Sequence, residues 1–145
     1  MKALEKTALK YFKPKRFELI GQRTIYNFLG IKIFKKYLPT TGDLMRRWRN
    51  IKQIDLTQSD KVSQLYQYEK QTRTYEWRHI IGALLFILFT LMLERELTLF
   101  DWIFLPILNL YINIYPIFLQ RYNRIRILKV LKKYGFDDPY ENSYY

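Results

Sequence analysis

Two long apolar runs, residues 80–93 and 102–119, dominate the pattern of hydrophobic and polar positions along the chain. A short charged segment, residues 94–101, separates them. A helix needs about 20 apolar residues to cross the hydrocarbon core of a bilayer. The second run meets this requirement, whereas the first, at about 14 residues, also needs its flanking residues to span the core. The pattern therefore predicts a hairpin of two transmembrane helices, at about 77–95 and 99–120.

The same pattern has an alternative interpretation. Apolar runs of about 10–14 residues also occur in the buried helices of soluble proteins, so a helical hairpin inside a soluble domain is compatible with the pattern. Two such runs next to each other are uncommon in so short a soluble chain, and this favours the membrane.

Positive charge lies on both sides of the hairpin and is scarce in its turn. Lysine and arginine number 18 in residues 1–79, one in residues 94–101 and six in residues 120–145, against seven, three and three acidic residues. Cytoplasmic loops of membrane proteins are enriched in Lys and Arg, so we expect a multi-pass protein of the inner (cytoplasmic) membrane with both termini in the cytoplasm. The net charge of +12 then faces anionic lipid headgroups, the expected partner surface.

The segment before the hairpin has the spacing of amphipathic helices. Residues 2–13 and 16–29 place apolar residues on one helical face, with Pro14 between them and Gly30 as the expected C-cap. We expect these helices to lie on the cytoplasmic leaflet, and two helices packed on each other in water are the alternative. The predicted fold class is therefore an all-α membrane protein, a transmembrane hairpin with basic amphipathic interfacial helices on its cytoplasmic side.

The chain divides into three regions on this interpretation. Residues 1–60 form a basic interfacial region with amphipathic helices and a Leu-Pro turn. Residues 61–124 form a helix that leads into the two-helix hairpin. Residues 125–145 form a basic amphipathic helix, ended by Gly135, and a frayed tail from Phe136 onward.

Composition excludes several kinds of site. The chain has no cysteine, which excludes disulfides, thiolate catalysis and cysteine-ligated metals, and its single histidine excludes a multi-histidine metal site. We therefore predict neither a metal nor a bound cofactor. A high positive charge also suits nucleic acid. The chain lacks zinc-finger spacing and aromatic RNA-binding motifs, so nucleic acid is not an expected partner.

The candidate chemistry lies at the cytoplasmic boundary of the first apolar run. On a helix, Glu69, Arg73 and Glu76 share one face, and His79 follows Glu76 by three residues. A carboxylate beside an imidazole is the arrangement of a general base, because the carboxylate orients the ring. Such pairs also occur as ordinary surface contacts, so the spacing alone is weak evidence.

The second apolar run contributes polar groups to the same boundary. Asn109 and Asn113 are four residues apart and share a face, which we expect to point toward a cavity or a partner helix. Pro116 removes a backbone donor and is expected to kink the helix. The donor-rich segment Gln120–Arg124 follows, at about the depth of His79 in an antiparallel hairpin. We therefore expect Glu76 and His79 to lie close to it.

These motifs resemble a known family. Residues 113–124, with their Asn, Pro and Gln-Arg-Tyr-Asn-Arg, are similar to a segment of the glycosyl-4,4'-diaponeurosporenoate acyltransferases. Residues 72–79 look like the family's Thr-[Lys/Arg]-x-x-Glu-x-x-His element, and residues 36–42 are similar to its Lys-x-Leu-Pro-x-x-Gly element. The chain departs from the family at Gln71, where the family has Glu, and at Ile125, where it usually has Pro.

The resemblance implies a membrane enzyme that transfers a fatty acyl group from a thioester donor to a hydroxyl of a lipid or carotenoid glycoside. It implies His79 as the general base and Glu76 as the residue that orients it. The residues that it implies as substrate contacts are Arg73, Asn113, Gln120, Arg121, Tyr122, Asn123 and Arg124.

A non-catalytic membrane protein is the rival interpretation. An accessory subunit or a lipid-surface scaffold explains the charge and the hairpin without any reactive site. An oligomer or a further membrane partner is compatible with both interpretations.

Overall fold

The computed structural model describes residues 9–21, 23–37, 61–93 and 96–140. Most of these residues are helical, as expected from the hydropathy pattern. The helices are α1 (Ile25–Phe28), α2 (Ile31–Tyr37), α3 (Lys61–Leu91), α4 (Leu99–Asn109) and α5 (Tyr115–Lys133). A 3-10 turn (Arg16–Glu18) and two short antiparallel strands, β1 (Leu19–Ile20) and β2 (Arg23–Thr24), precede them.

Helix α3 confirms that residues 61–79 continue without a break into the first apolar run. Its buried side chains recur every three or four residues, which is the spacing of a single helical face. In the N-terminal half this face is largely polar, and beyond His79 the exposed side chains are apolar, among them Leu84, Leu88 and Phe89. The members of the buried face are Leu65, Glu69, Thr72, Glu76 and Ala83.

The second apolar run forms α4, one turn of π-helix (Leu110–Ile114) and α5 in continuous succession. A capping box starts α4, because the Thr98 hydroxyl accepts from the Asp101 N–H and the Asp101 carboxylate accepts from the Thr98 N–H. Pro116 cannot donate a backbone hydrogen bond, and the π turn ends at Ile114, two residues before it. The helix continues through the boundary that we placed at residue 124.

One helix in the described part of the chain, Leu99–Lys133, is long and apolar enough to cross a membrane. Only 22% of its most apolar window is buried inside the protein, so most of that surface faces outward. The apolar part of α3 spans about 12 residues, roughly 18 Å of helix, which is shorter than a bilayer core. The second transmembrane span and the interfacial placement of the other helices stay predictions.

Helix α3 packs antiparallel to the continuous helix formed by α4, the π turn and α5, which we call the second helix. Asn109 of α4 contacts Ala83 of α3, Asn113 approaches Gly82, and Arg124 of α5 reaches Glu76. Residues nearer the C-terminus of the second helix therefore contact residues nearer the N-terminus of α3, as expected for a helical hairpin.

The predicted helix over residues 16–29 is wrong for most of its length. Gly21 has a φ of 59°, a left-handed conformation that reverses the chain between β1 and β2, and only Ile25–Phe28 are α-helical. The C-cap expected at Gly30 is confirmed, since its φ of 70° separates α1 from α2. Helices α1 and α2 pack against α5 through one apolar core. The core consists of Tyr26, Ile31, Phe34, Leu119, Tyr122 and Ile125.

The C-terminal segment is not frayed over its described residues. Tyr140 is fully buried, and the Tyr66 hydroxyl donates to the Asp137 carbonyl at 2.7 Å. The segment therefore docks on the start of α3 instead of extending away from it. The Leu-Pro turn and the Lys-x-Leu-Pro-x-x-Gly element lie almost entirely outside the described residues.

Candidate functional site

A buried, charge-balanced cluster lies where α3, α5 and the N-terminal segment meet. Three carboxylates in it, Glu18, Glu69 and Glu76, are each at most 1% exposed. Ionised groups are rarely buried so completely unless they are paired. Arg121 and Arg124, together with Arg73, supply the opposite charges.

Glu76 is the centre of this cluster. One of its carboxylate oxygens accepts from Nε of Arg121 at 2.8 Å, and the other lies 2.6 Å from Nη2 of Arg124. These contacts confirm that Glu76 meets the Gln120–Arg124 segment. Both carboxylate oxygens thus face arginines, and the side chain that meets the His79 imidazole is Asn113 instead of Glu76. A guanidinium carries a full charge and outcompetes a neutral imidazole for a buried carboxylate.

The two arginines tie the N-terminal segment to the hairpin. Arg124 is 1% exposed and donates to the Thr72 hydroxyl and to the Phe12 carbonyl, both at 3.1 Å. Arg121 pairs with Glu18 and also reaches the Tyr11 carbonyl at 3.4 Å. Both guanidiniums are thus largely occupied by groups of the protein itself.

Glu69 extends the cluster toward the C-terminal segment. Its carboxylate accepts from Arg73 at 2.7 Å and from the buried hydroxyl of Tyr140. Burial raises the pKa of the Tyr140 phenol well above its ordinary value, and the negative charge of Glu69 raises it further while Arg124 opposes the change. Burial raises the pKa of Tyr26 in the same way, assisted by Glu18. Both phenols therefore remain protonated donors over the physiological range.

His79 lies half-buried, three residues after Glu76 on α3, and its imidazole faces the side chain of Asn113. Nδ2 of Asn113 donates to Oδ1 of Asn109 at 2.8 Å, and Nδ2 of Asn109 reaches the Ala83 carbonyl at 3.4 Å. Both asparagines are 7% exposed. The face shared by Asn109 and Asn113 therefore points toward α3, as the spacing predicted, and it ends at the imidazole.

The family comparison agrees with these motifs. The model of the glycosyl-4,4'-diaponeurosporenoate acyltransferase family matches residues 8–133. The chain belongs to this family. No curated protein and no solved structure matches the chain significantly.

The family's Thr-Arg-x-x-Glu-x-x-His element and its Gln-Arg-Tyr-Asn-Arg element therefore meet across the α3–α5 interface. Tyr122 departs from this arrangement, because it lies in the apolar core and Arg126 stacks over its ring at 5.7 Å. Gln120 and Asn123 are half-buried beside the arginines. The described residues contain no group of three or more side chains suited to hold a metal ion.

Several residues of the cluster were given no role from the sequence. Glu69 was placed on the helical face of Glu76 but not assigned to the site, and Thr72 shares that face. Glu18 and Tyr140 gave no local signal, because their partners lie far away along the chain, on α5 and α3.

An apolar cavity of about 440 Å³ lies on another side of the second helix. Ile33 and Phe34 of α2 line it, together with Ile107, Leu110 and Tyr111. This is the α2 side of the helix, whereas Asn109 and Asn113 contact α3. The cavity is therefore separated from His79 by the helix itself.

Proposed function

We propose that the protein is a membrane acyltransferase that moves a fatty acyl group from a thioester donor to a hydroxyl of a lipid or carotenoid glycoside. The observation that carries this proposal is the placement of His79. In a chain of an acyltransferase family, its only histidine lies at the start of an apolar helical stretch and faces a buried asparagine. Imidazole is the side chain best suited to accept a proton near neutral pH.

In the proposed reaction, the acceptor hydroxyl gives its proton to one ring nitrogen of His79 while its oxygen attacks the thioester carbonyl carbon. The tetrahedral intermediate then collapses as the C–S bond breaks. The leaving thiolate takes the proton from the imidazolium. An ester and a free thiol result, and His79 returns to its neutral form.

The other motif residues divide between substrate contacts and support. Gln120 is two helical turns after Asn113 and therefore on the same face of the second helix. We assign Gln120 and Asn123 to the developing oxyanion and the polar head of the substrate, since both are half-buried. Glu76 holds Arg121 and Arg124 beside these two side chains.

The proposed location is the inner membrane, with both termini in the cytoplasm. The apolar part of α3 and the candidate span Leu99–Lys133 together form the hairpin, and the basic segments lie against anionic headgroups. This arrangement puts His79 at the boundary where a lipid hydroxyl meets a water-soluble thioester.

The test is product formation by the purified protein in nanodiscs that contain an anionic phospholipid. A coenzyme A thioester with an isotope-labelled acyl chain is offered with a carotenoid glycoside or with a simple glycolipid. We expect a labelled ester of at least one acceptor, detected by mass spectrometry, and none in empty nanodiscs. Folded, inserted protein that acylates neither acceptor overturns the proposal.

That negative result would favour the non-catalytic alternative. One observation supports this alternative directly, because Arg121 and Arg124 are engaged by carboxylates and carbonyls of the protein. A scaffold that only holds the hairpin to the N-terminal segment needs this cluster and does not need His79.

A further inference from the structure

Two buried amides in the second apolar helix form a hydrogen-bonded chain with a defined direction. Asn113 donates through Nδ2 to Oδ1 of Asn109, and Asn109 donates through Nδ2 to the carbonyl of Ala83. Each amide thus directs one of its two N–H donors toward the turn of the hairpin. The oxygen of Asn113 lies against Gly82, three residues after His79 on α3, and is the acceptor that this amide presents to the imidazole.

This direction has a consequence for His79. A neutral imidazole has one N–H and one bare nitrogen, and its tautomer is set by the partner of the N–H. When the N–H donates to Oδ1 of Asn113, the other nitrogen keeps its lone pair and is the one able to accept a proton. The end of the chain at Ala83 is a backbone carbonyl, which only accepts, so the direction cannot reverse.

Gly82 makes the close approach of Asn113 to α3 possible. A Cβ atom at position 82 would lie 2.7 Å from Oδ1 of Asn113, closer than real Cβ contacts. Gly82 is three residues after His79, so both occupy the same side of α3. Glycine in the middle of a helix costs about 1 kcal/mol relative to alanine, and here the missing side chain leaves room for the amide oxygen.

The π turn lies at the same place. Asn113 is part of Leu110–Ile114, where the Tyr115 N–H donates back to the Leu110 carbonyl. Single π turns within α-helices occur frequently at functional sites, where they re-aim side chains. The sequence thus combines an unusual backbone turn, two buried amides and a glycine at one point of the interface.

We propose that Asn113, held by Asn109 and admitted by Gly82, is a positioning residue that fixes the ring orientation and the tautomer of His79. The catalytic meaning of this arrangement rests on the proposed acyl transfer, whereas the arrangement itself does not. Asn113 is then a support for the base and not a substrate contact, contrary to what the family resemblance implied.

The chain contains one histidine, which allows a direct spectroscopic test. Protein with ¹⁵N-labelled histidine in nanodiscs gives the two ring-nitrogen signals of His79 alone. At about pH 8, where an ordinary imidazole is neutral, we expect one protonated and one bare nitrogen, each with its own signal. In Asn113→Leu, which has no acceptor, the two signals should move toward their average because the tautomers interconvert.

Two further variants make the test specific. Gly82→Ala should behave like Asn113→Leu, because its methyl group displaces the amide oxygen. Thr90→Val is the matched control, since Thr90 bonds the Phe86 carbonyl of its own helix at 2.8 Å. Averaged signals in the wild type, or an unchanged spectrum in Asn113→Leu, overturn the inference.

The kinetic arm separates this inference from the proposed function. Asn113→Leu should lower kcat by at least about tenfold with KM changed less than about twofold, because a misdirected base slows proton transfer without weakening binding. An equal rise in KM with unchanged kcat would overturn the positioning role. If the wild type shows a fixed tautomer and transfers no acyl group, the positioning stands and the proposed function fails.

Discussion

Nη2 of Arg124 lies 2.6 Å from a carboxylate oxygen of Glu76, and each of the two side chains is at most 1% exposed to solvent. Moving two such charges out of water is costly, and their attraction offsets the cost only when the geometry is good and the other polar atoms find partners. Arg124 finds them in Thr72 and the Phe12 carbonyl, and Glu76 finds a second guanidinium in Arg121. The pair therefore fixes how α3, α5 and the N-terminal segment fit together.

Glu76→Gln should destabilise the fold strongly, because it leaves the guanidinium of Arg124 buried beside an uncharged side chain. We expect a loss of about 3–5 kcal/mol in the free energy of unfolding, measured by denaturant titration in detergent micelles. Glu96→Gln, in the exposed turn of the hairpin, is the control and should change it by less than about 0.5 kcal/mol.

A double variant decides whether the effect comes from the pair. Glu76→Gln combined with Arg124→Gln removes both charges, so it should cost less than the sum of the two single variants. Strict additivity would mean that the two residues do not interact.

Stability should fall at alkaline pH through Tyr26 and Tyr140. Burial raises the pKa of both phenols in the folded protein above the ordinary value of about 10. Above about pH 10 the folded state then binds more protons than the unfolded state, so the free energy of unfolding decreases as pH rises. Below that pH the contribution is complete and constant.

Replacing both phenols tests this assignment. Tyr26→Phe with Tyr140→Phe should make the loss of stability between about pH 10 and 12 shallower than in the wild type. Tyr134→Phe is the control, because Tyr134 is 60% exposed. Equal alkaline slopes in all three proteins would exclude the two buried phenols as the source.

The hairpin topology predicts a specific pattern of chemical labelling. The chain has no cysteine, so Glu96→Cys and Ser63→Cys each introduce a single thiol. An impermeant maleimide should label residue 96 on intact cells and residue 63 only after permeabilisation, since the proposed topology has the acidic turn outside and the basic flanks inside. The opposite pattern would reverse the orientation, and labelling of both residues on intact cells would contradict the hairpin.

Local periodicity was sufficient to predict the long helices and the meeting of the two motifs. The unbroken helical pattern from residue 61 onward and the antiparallel arrangement across the turn together place Glu76 near Arg121 and Arg124. The face shared by Asn109 and Asn113 followed from their spacing alone. These features depend on residues close in sequence or on simple hairpin geometry.

Helical spacing and hairpin geometry could not predict which side chain Glu76 would pair with. Glu76 is near His79 on its own helix, yet it binds arginines from α5, because a buried carboxylate gains more from two guanidiniums than from an imidazole. The strands before α1 were also missed, since Phe17, Ile20 and Thr24 fit helical spacing while the conformation of Gly21 favours a reversal. Docking of Tyr140 on Glu69 depends on a contact between distant parts of the chain.

The most direct measurement is the single-turnover rate of acyl transfer by His79→Gln relative to the wild type, in nanodiscs with labelled acyl thioester. Removing a general base typically costs about 10²- to 10⁴-fold, and we expect a loss in that range with unchanged membrane insertion. Arg78→Gln, at the exposed neighbouring position, is the control and should retain the wild-type rate. Transfer by His79→Gln at the wild-type rate, or an equal loss in Arg78→Gln, would contradict the assignment of His79 as the base.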